Sequence, residues 1–178
     1  MSATSNSARN AKGLPRSQAR LAAVQALYQM DLAETDLAAV IEEFKAHRLG
    51  READNGADAG TGGEADPEHF ADVLKGVVRR QREIDPMIDR QLAQGWRLTQ
   101  IDSILRAILR AGAFELIELA QVPSRVVISQ YIDVAHAFFE GDEPRVVNGV
   151  LDALARKLRP GDLPQRGPEQ GPEQEKGD

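Results

Sequence analysis

The sequence predicts an all-α fold of about seven helices, with a linker dividing an N-terminal helix pair from the rest. Apolar residues recur at three- and four-residue spacing almost everywhere between residues 15 and 160. Proline and glycine fall between those stripes, where helices start and stop. The β-branched cluster Val126–Ile128 could suit a strand, but helical periodicity around it runs for more than a dozen residues and outweighs it. With 178 residues the chain is long enough for one compact core.

Residues 1–14 lack periodicity and are expected as a disordered basic arm. Leu21, Val24, Leu27, Tyr28 and Leu32 then mark a first helix, with Ala22, Ala23 and Ala26 allowing close packing. Leu37, Val40, Ile41 and Phe44 mark a second. Residues 50–66, rich in Gly, Ala and Asp, read as a flexible loop. The GTGG within it is not a phosphate-binding loop, since neither Lys-Ser nor Lys-Thr follows. Pro67 opens a third helix through Phe70, Val73, Leu74, Val77 and Val78, and a short fourth runs from Pro86 to Leu92, ending near Gly95–Trp96.

Thr99 and Asp102 resemble a capping box with Asp in place of Glu. Ile101, Ile104, Leu105, Ile108, Gly112 and Leu116 follow as one stripe, widened by Leu109 and Ile117, so this helix is expected at the centre. Pro123 introduces the next, with Val127, Ile128, Tyr131, Ile132, Ala135, Phe138 and Phe139. Val147, Val150, Leu151, Leu154 and Leu158 give a one-sided last helix that stops before Pro160–Gly161. Residues 161–178 double a GPEQ unit and are expected as a disordered acidic tail. Residues 15–160 should therefore form a single domain, because neither the first helix pair nor the remainder can bury its apolar face alone.

Composition excludes several classes of function. Cysteine is absent, which removes disulfides, thiolate zinc sites and thiol catalysis. The longest uncharged run, Leu21–Met30, is too short to cross a bilayer, and no apolar signal core opens the chain. A soluble cytoplasmic protein without membrane contact is expected. The net charge of −6 is unevenly spread, since residues 1–30 carry Arg9, Lys12, Arg16 and Arg20 and no acid. A basic end on an acidic protein can still hold an anion, because charge is read over about 8–10 Å at physiological salt.

No catalytic constellation assembles. His47 and His69 are expected in solvent, and His136 with Glu140 makes a surface contact rather than a metal pair. Glu42–Glu43 and Asp142–Glu143 fit helix exteriors and caps. Ser103, Ser124 and Ser129 have no nucleophile elbow around them. Neither an enzyme nor a cofactor is expected.

Two segments ask for more than packing. In PRSQARLAAVQALYQMDL, Arg16 and Arg20 project from one helix face a turn apart, with Lys12 before them. The planar guanidinium suits phosphate oxygens. Tyr28, two turns on, either stacks on a base or fills the core, the core being favoured on the residues alone. In EPRVVNGVLDALARKL, Gly149 sits inside a strong helix pattern at a cost of about 1 kcal/mol, which a close helix crossing would explain. Asn148 could hold the preceding loop or a ligand.

These segments resemble the bacterial transcription antitermination factor NusB family. The resemblance runs from Arg16 to Leu158 and rests on ordered motifs: ARLAAVQALYQ, ILRAGAFEL, VPSRVVISQYIDVAHAFF and VVNGVLDALAR. It implies an all-helical fold of two subdomains and binding to single-stranded boxA RNA jointly with the ribosomal protein NusE. It also implies a place in the transcription elongation complex that reads ribosomal RNA operons. The family's basic N-terminal motif falls on Arg16, Arg20 and Lys12, with Ser17 and Gln18 interrupting the run that relatives carry. Tyr28, Arg125, Phe138, Asp142, Arg145 and Asn148 fall at or beside the implied RNA surface, while Val146 stands where many members have Phe.

RNA held through about four phosphates would show a salt slope of roughly −2.8, about a 50-fold loss from 50 to 200 mM salt. So weak a binder gains from a partner that adds contacts. Two rivals remain. One is the similar RNA-binding module of ribosomal-RNA cytosine methyltransferases, which continues into a catalytic domain, whereas this sequence closes in the tail at residue 178. The other is a purely protein-binding helical adaptor.

Overall fold

The computed structural model describes the backbone of residues 4–47 and 65–166 and the side chains of 15–46 and 65–166. It contains α1 (Thr4–Ala33), α2 (Leu37–His47), α3 (Pro67–Asp89), α4 (Ser103–Glu118), α5 (Ser124–Phe138) and α6 (Glu143–Leu158). No strand occurs among the described residues, and Val126–Ile128 lie within α5. Helix α1 starts at Thr4 and carries Pro15 inside it, so most of the segment expected as an arm is helical. The loop 50–66 lies outside the described residues apart from its last two, and so does the tail beyond residue 166.

Among the described residues six helices form instead of about seven, because the third and fourth are continuous. Pro86 costs α3 one backbone hydrogen bond, about 3 kcal/mol in a helix interior. Val73, Val77, Ile84 and Ile88 nevertheless stay on one buried stripe across it. Burying Ile84 and Ile88 contributes about 1.5–3 kcal/mol each, enough together to offset the loss.

Caps set the remaining starts. Asp66 accepts from the amides of Glu68 and His69 ahead of α3, with Pro67 in the first turn as expected. Helix α4 begins three residues later than the capping box suggested. Its cap is Asp102, which accepts from Ile104 N at 2.8 Å and Leu105 N at 3.2 Å. Helix α6 ends before Pro160, as the sequence implied.

Helix α4 is central and packs against α1, α3, α5 and α6. Buried side chains from all six helices make one cluster, including Phe44, Phe70, Leu109, Tyr131 and Leu151. Phe44 of α2 stacks on Phe70 of α3, ring centroids 5.4 Å apart. Helix crossings tighten at two glycines, neither of them Gly149. A Cβ on Gly76 would overlap the Phe114 ring, and one on Gly112 would lie 2.7 Å from Leu151 Cδ1. Gly149 is exposed and a Cβ there would meet nothing within 4 Å, so close packing does not account for it.

Arg159 closes the C-terminal end of α4. It donates to the carbonyls of Glu115, Leu116, Leu119 and Val122, adding a second donor at Glu115 and Leu119, which already accept the amides of Leu119 and Val122. Arg110 forks onto Asp85 at 2.8 Å through two nitrogens and joins α4 to α3.

Candidate nucleic-acid interface

Helices α1 and α5 lie side by side and run in the same direction. At one end Ser17 donates to Gln130 Oε1; at the other, Tyr28 and Phe138 line one cavity of about 480 Å³ with Leu32 and Ile104. Both aromatics are half-buried, so Tyr28 packs and still presents ring surface.

Arg16 is 45% exposed at the first end, its nearest acid being Asp66 at 3.8 Å. Arg125 is exposed near the start of α5 and pairs with no acid among the described residues. At the far end the chain turns into α6, whose first turns expose Asp142, Arg145 and Asn148. Arg145 and Asp142 stand 3.9 Å apart and are both almost wholly in solvent. Lys12 has no described side chain.

Arg20 does not join this surface. It is 3% exposed and forks onto Glu115, with Nε 2.8 Å from Oε2 and Nη2 2.9 Å from Oε1. The Tyr131 hydroxyl donates to Glu115 Oε2 at 2.5 Å, and His69 Nε2 stands 3.4 Å from Oε1. His69, expected in solvent, is thus buried. The physical reason is Glu115 itself: a carboxylate with no exposed surface requires donors, and α1 supplies two through Arg20 and α5 one through Tyr131, with the His69 ring of α3 drawn in beside them. Burial pushes the Glu115 carboxyl up, but hydrogen bonds from His69 and Arg20 and the charge of Arg20 outweigh it and bring it down to about 2. Burial and the Glu115 charge push the Tyr131 phenol well up, so it remains a donor. One turn of helix separates an exposed guanidinium at Arg16 from a core ion pair at Arg20.

Sequence reasoning missed this network and also Trp96. The signal for the first was an acid in an otherwise apolar central stripe, Glu115 in ILRAGAFEL. The signal for the second was a lone tryptophan following a glycine. Among the described residues no group of three His, Asp or Glu could hold a metal, and His136 and Glu140 are exposed. No described helix is long and apolar enough to cross a membrane.

An all-helical domain built on a central helix, with cations and half-buried aromatics along one helix pair, is the class of protein these features define. A family model described as the NusB family matches residues 17–156, and the chain belongs to that family. A transcription antitermination protein NusB of Bartonella henselae is 49% identical over 144 residues, covering 81% of this chain and 89% of the relative. A solved NusB from T. maritima is 26% identical with a TM-score of 0.64, covering 80% of this chain and 91% of its own. The same fold recurs at 24% identity and a TM-score of 0.64 in a NusB solved with NusE and double-stranded RNA, covering 80% of this chain and 97% of that one.

Proposed function

We propose that this protein is a transcription antitermination factor that binds boxA RNA together with the ribosomal protein NusE. In this reading it acts in the cytoplasm within the elongation complex and sustains processive transcription of ribosomal RNA operons. The observation that carries the RNA reading is the α1–α5 side, with Arg16 and Arg125 at one end and Tyr28 beside Phe138 at the other. Single-stranded RNA is held by phosphate contacts and by bases stacked on aromatic and guanidinium planes, and this side offers both. The related complex described with double-stranded RNA leaves the form of the RNA to experiment.

Arg16, Arg125 and Arg145 are the described cations assigned to phosphate, with Asp142 and Asn148 at the turn into α6. Withdrawing Arg20 lowers the phosphate count to about three and the salt slope to roughly −2, about a 20-fold loss from 50 to 200 mM salt. That weakness is the physical reason to require NusE.

Fluorescence anisotropy of labelled boxA RNA, with a scrambled control and with or without NusE, tests the proposal. Sequence-dependent binding that tightens on adding NusE is expected, and Arg16→Glu should weaken it at least several-fold while leaving the thermal midpoint unchanged. Equal weak binding to both RNAs, indifferent to NusE, would overturn the reading in favour of a protein adaptor.

A further inference from the structure

Trp96 is the only tryptophan in the chain, and its side chain is 53% exposed. It follows Gly95, whose φ of 87° lies in the left-handed region that glycine enters without strain. An indole has ample apolar surface to bury, so leaving half of it in water between two helices asks for an occupant.

Open space flanks Trp96 on two sides. A cavity of about 450 Å³ is lined by Trp96, Arg97, Ile101, Leu105, Asp142 and Val146. A second, of about 220 Å³, is lined by Leu92, Trp96, Val146, Gly149 and Val150. The wall of that second cavity includes the bare backbone of Gly149, the glycine that packing does not explain. A flat group beside the indole would meet no Cβ there.

The position is continuous with the proposed RNA surface. Asp142 belongs to both, and the start of α4 joins the two, Ile104 lining the Tyr28–Phe138 cavity and Leu105 the Trp96 cavity. Arg97, next to the indole, is exposed and pairs with no acid among the described residues. Three acids also line the larger Trp96 cavity: Asp102 is committed to the first amides of α4, Asp142 stands 3.9 Å from Arg145, and Glu143 keeps Oε2 without a hydrogen-bond partner.

We propose that Trp96 is a stacking platform for an unpaired RNA base, with Arg97 contacting the adjoining phosphate, at the α6 end of the interface. This rests on the RNA reading above and extends it to two residues that reading does not use. Stacking on an aromatic ring is sequence-tolerant, so the platform adds affinity more than base choice.

Because Trp96 is the sole tryptophan, its intrinsic fluorescence reports on this position directly. Titrating the full-length protein with unlabelled single-stranded boxA RNA should quench and saturate the emission, whereas inorganic polyphosphate, which has charge without bases, should not. In anisotropy, Trp96→Ala should weaken RNA binding about 5- to 100-fold, with Trp96→Phe retaining most of the affinity. Thermal melts of both variants establish that they fold.

If RNA binds, is weakened by Arg16→Glu, and leaves Trp96 emission and the Trp96→Ala affinity unchanged, the platform is wrong and the RNA function stands. If emission shifts with NusE alone and not with RNA, Trp96 docks protein and the inference is overturned. If no RNA binds with or without NusE, both readings fail together.

Discussion

Replacing Glu115 by Gln separates the buried ion pair from every surface effect. The substitution keeps the size of the side chain and removes the charge that faces Arg20, itself 3% exposed. Breaking a buried pair by neutralising one partner costs about 3–5 kcal/mol, since the other charge stays desolvated. The acid–base properties lead to a similar figure. A carboxyl that titrates at 4.5 when free and at about 2 in the fold contributes about 3 kcal/mol at neutral pH.

The sign follows from the depressed value. Above 4.5 the group is ionised in both states and its stabilisation is complete; as pH falls from 4.5 to 2 the unfolded chain takes up the proton first and the stabilisation is lost. Denaturant unfolding followed by far-UV circular dichroism checks both parts. At pH 7 Glu115→Gln should lower stability by about 3–5 kcal/mol and the thermal midpoint by roughly 10 °C or more. Between pH 4.5 and 2 the wild-type protein should lose about 3 kcal/mol more than the variant does. A variant within about 1 kcal/mol of wild type, with the same acid dependence, would refute the assignment.

Other substitutions probe the packing. Gly149→Ala should stabilise the protein by about 0.5–1 kcal/mol in the same unfolding assay, because the new methyl meets nothing and the helix gains propensity. Gly76→Ala should destabilise by about 1–3 kcal/mol, as Phe114 has to leave its position to admit a Cβ; an unchanged thermal midpoint would mean that α3 and α4 cross less closely. Arg159→Ala should cost about 1–3 kcal/mol in chemical denaturation, since the Leu116 carbonyl loses its donor while Glu115 and Leu119 keep only their backbone ones.

What the sequence made legible was what periodicity encodes. The central position of α4 could be read from Ile104, Leu105, Ile108 and Leu116, because a helix apolar on most sides has nowhere else to go. The union of α3 with the segment after Pro86 could not. Proline marks a local penalty, and only the three-dimensional core reveals that Ile84 and Ile88 compensate for it. Gly149 misled for a related reason: helix propensity registers that a glycine is costly without saying whether its open side faces a helix or solvent. Gly112, inside the recognised stripe, is where the close crossing occurs.

The candidate site shows the same division more sharply. Spacing correctly puts Arg16 and Arg20 a turn apart, yet a turn along α1 is also the distance from solvent into the core. Which arginine stays in solvent is decided by Glu115, 95 residues from Arg20, whose buried charge needs a permanent cation. That pairing also seats Arg20 against Gln130, which Ser17 contacts as well, so the middle of α1 is held against α5 and, on the proposed function, Arg20 positions the interface without touching RNA. A conservative Arg20→Lys tests this. Lysine keeps the charge but loses the two-nitrogen fork, so stability should fall by about 1–3 kcal/mol. RNA affinity measured well below the melting temperature should fall less than it does for Arg16→Glu. A larger loss of affinity for Arg20→Lys, in protein that remains folded, would return Arg20 to the phosphate contacts and remove it from the core.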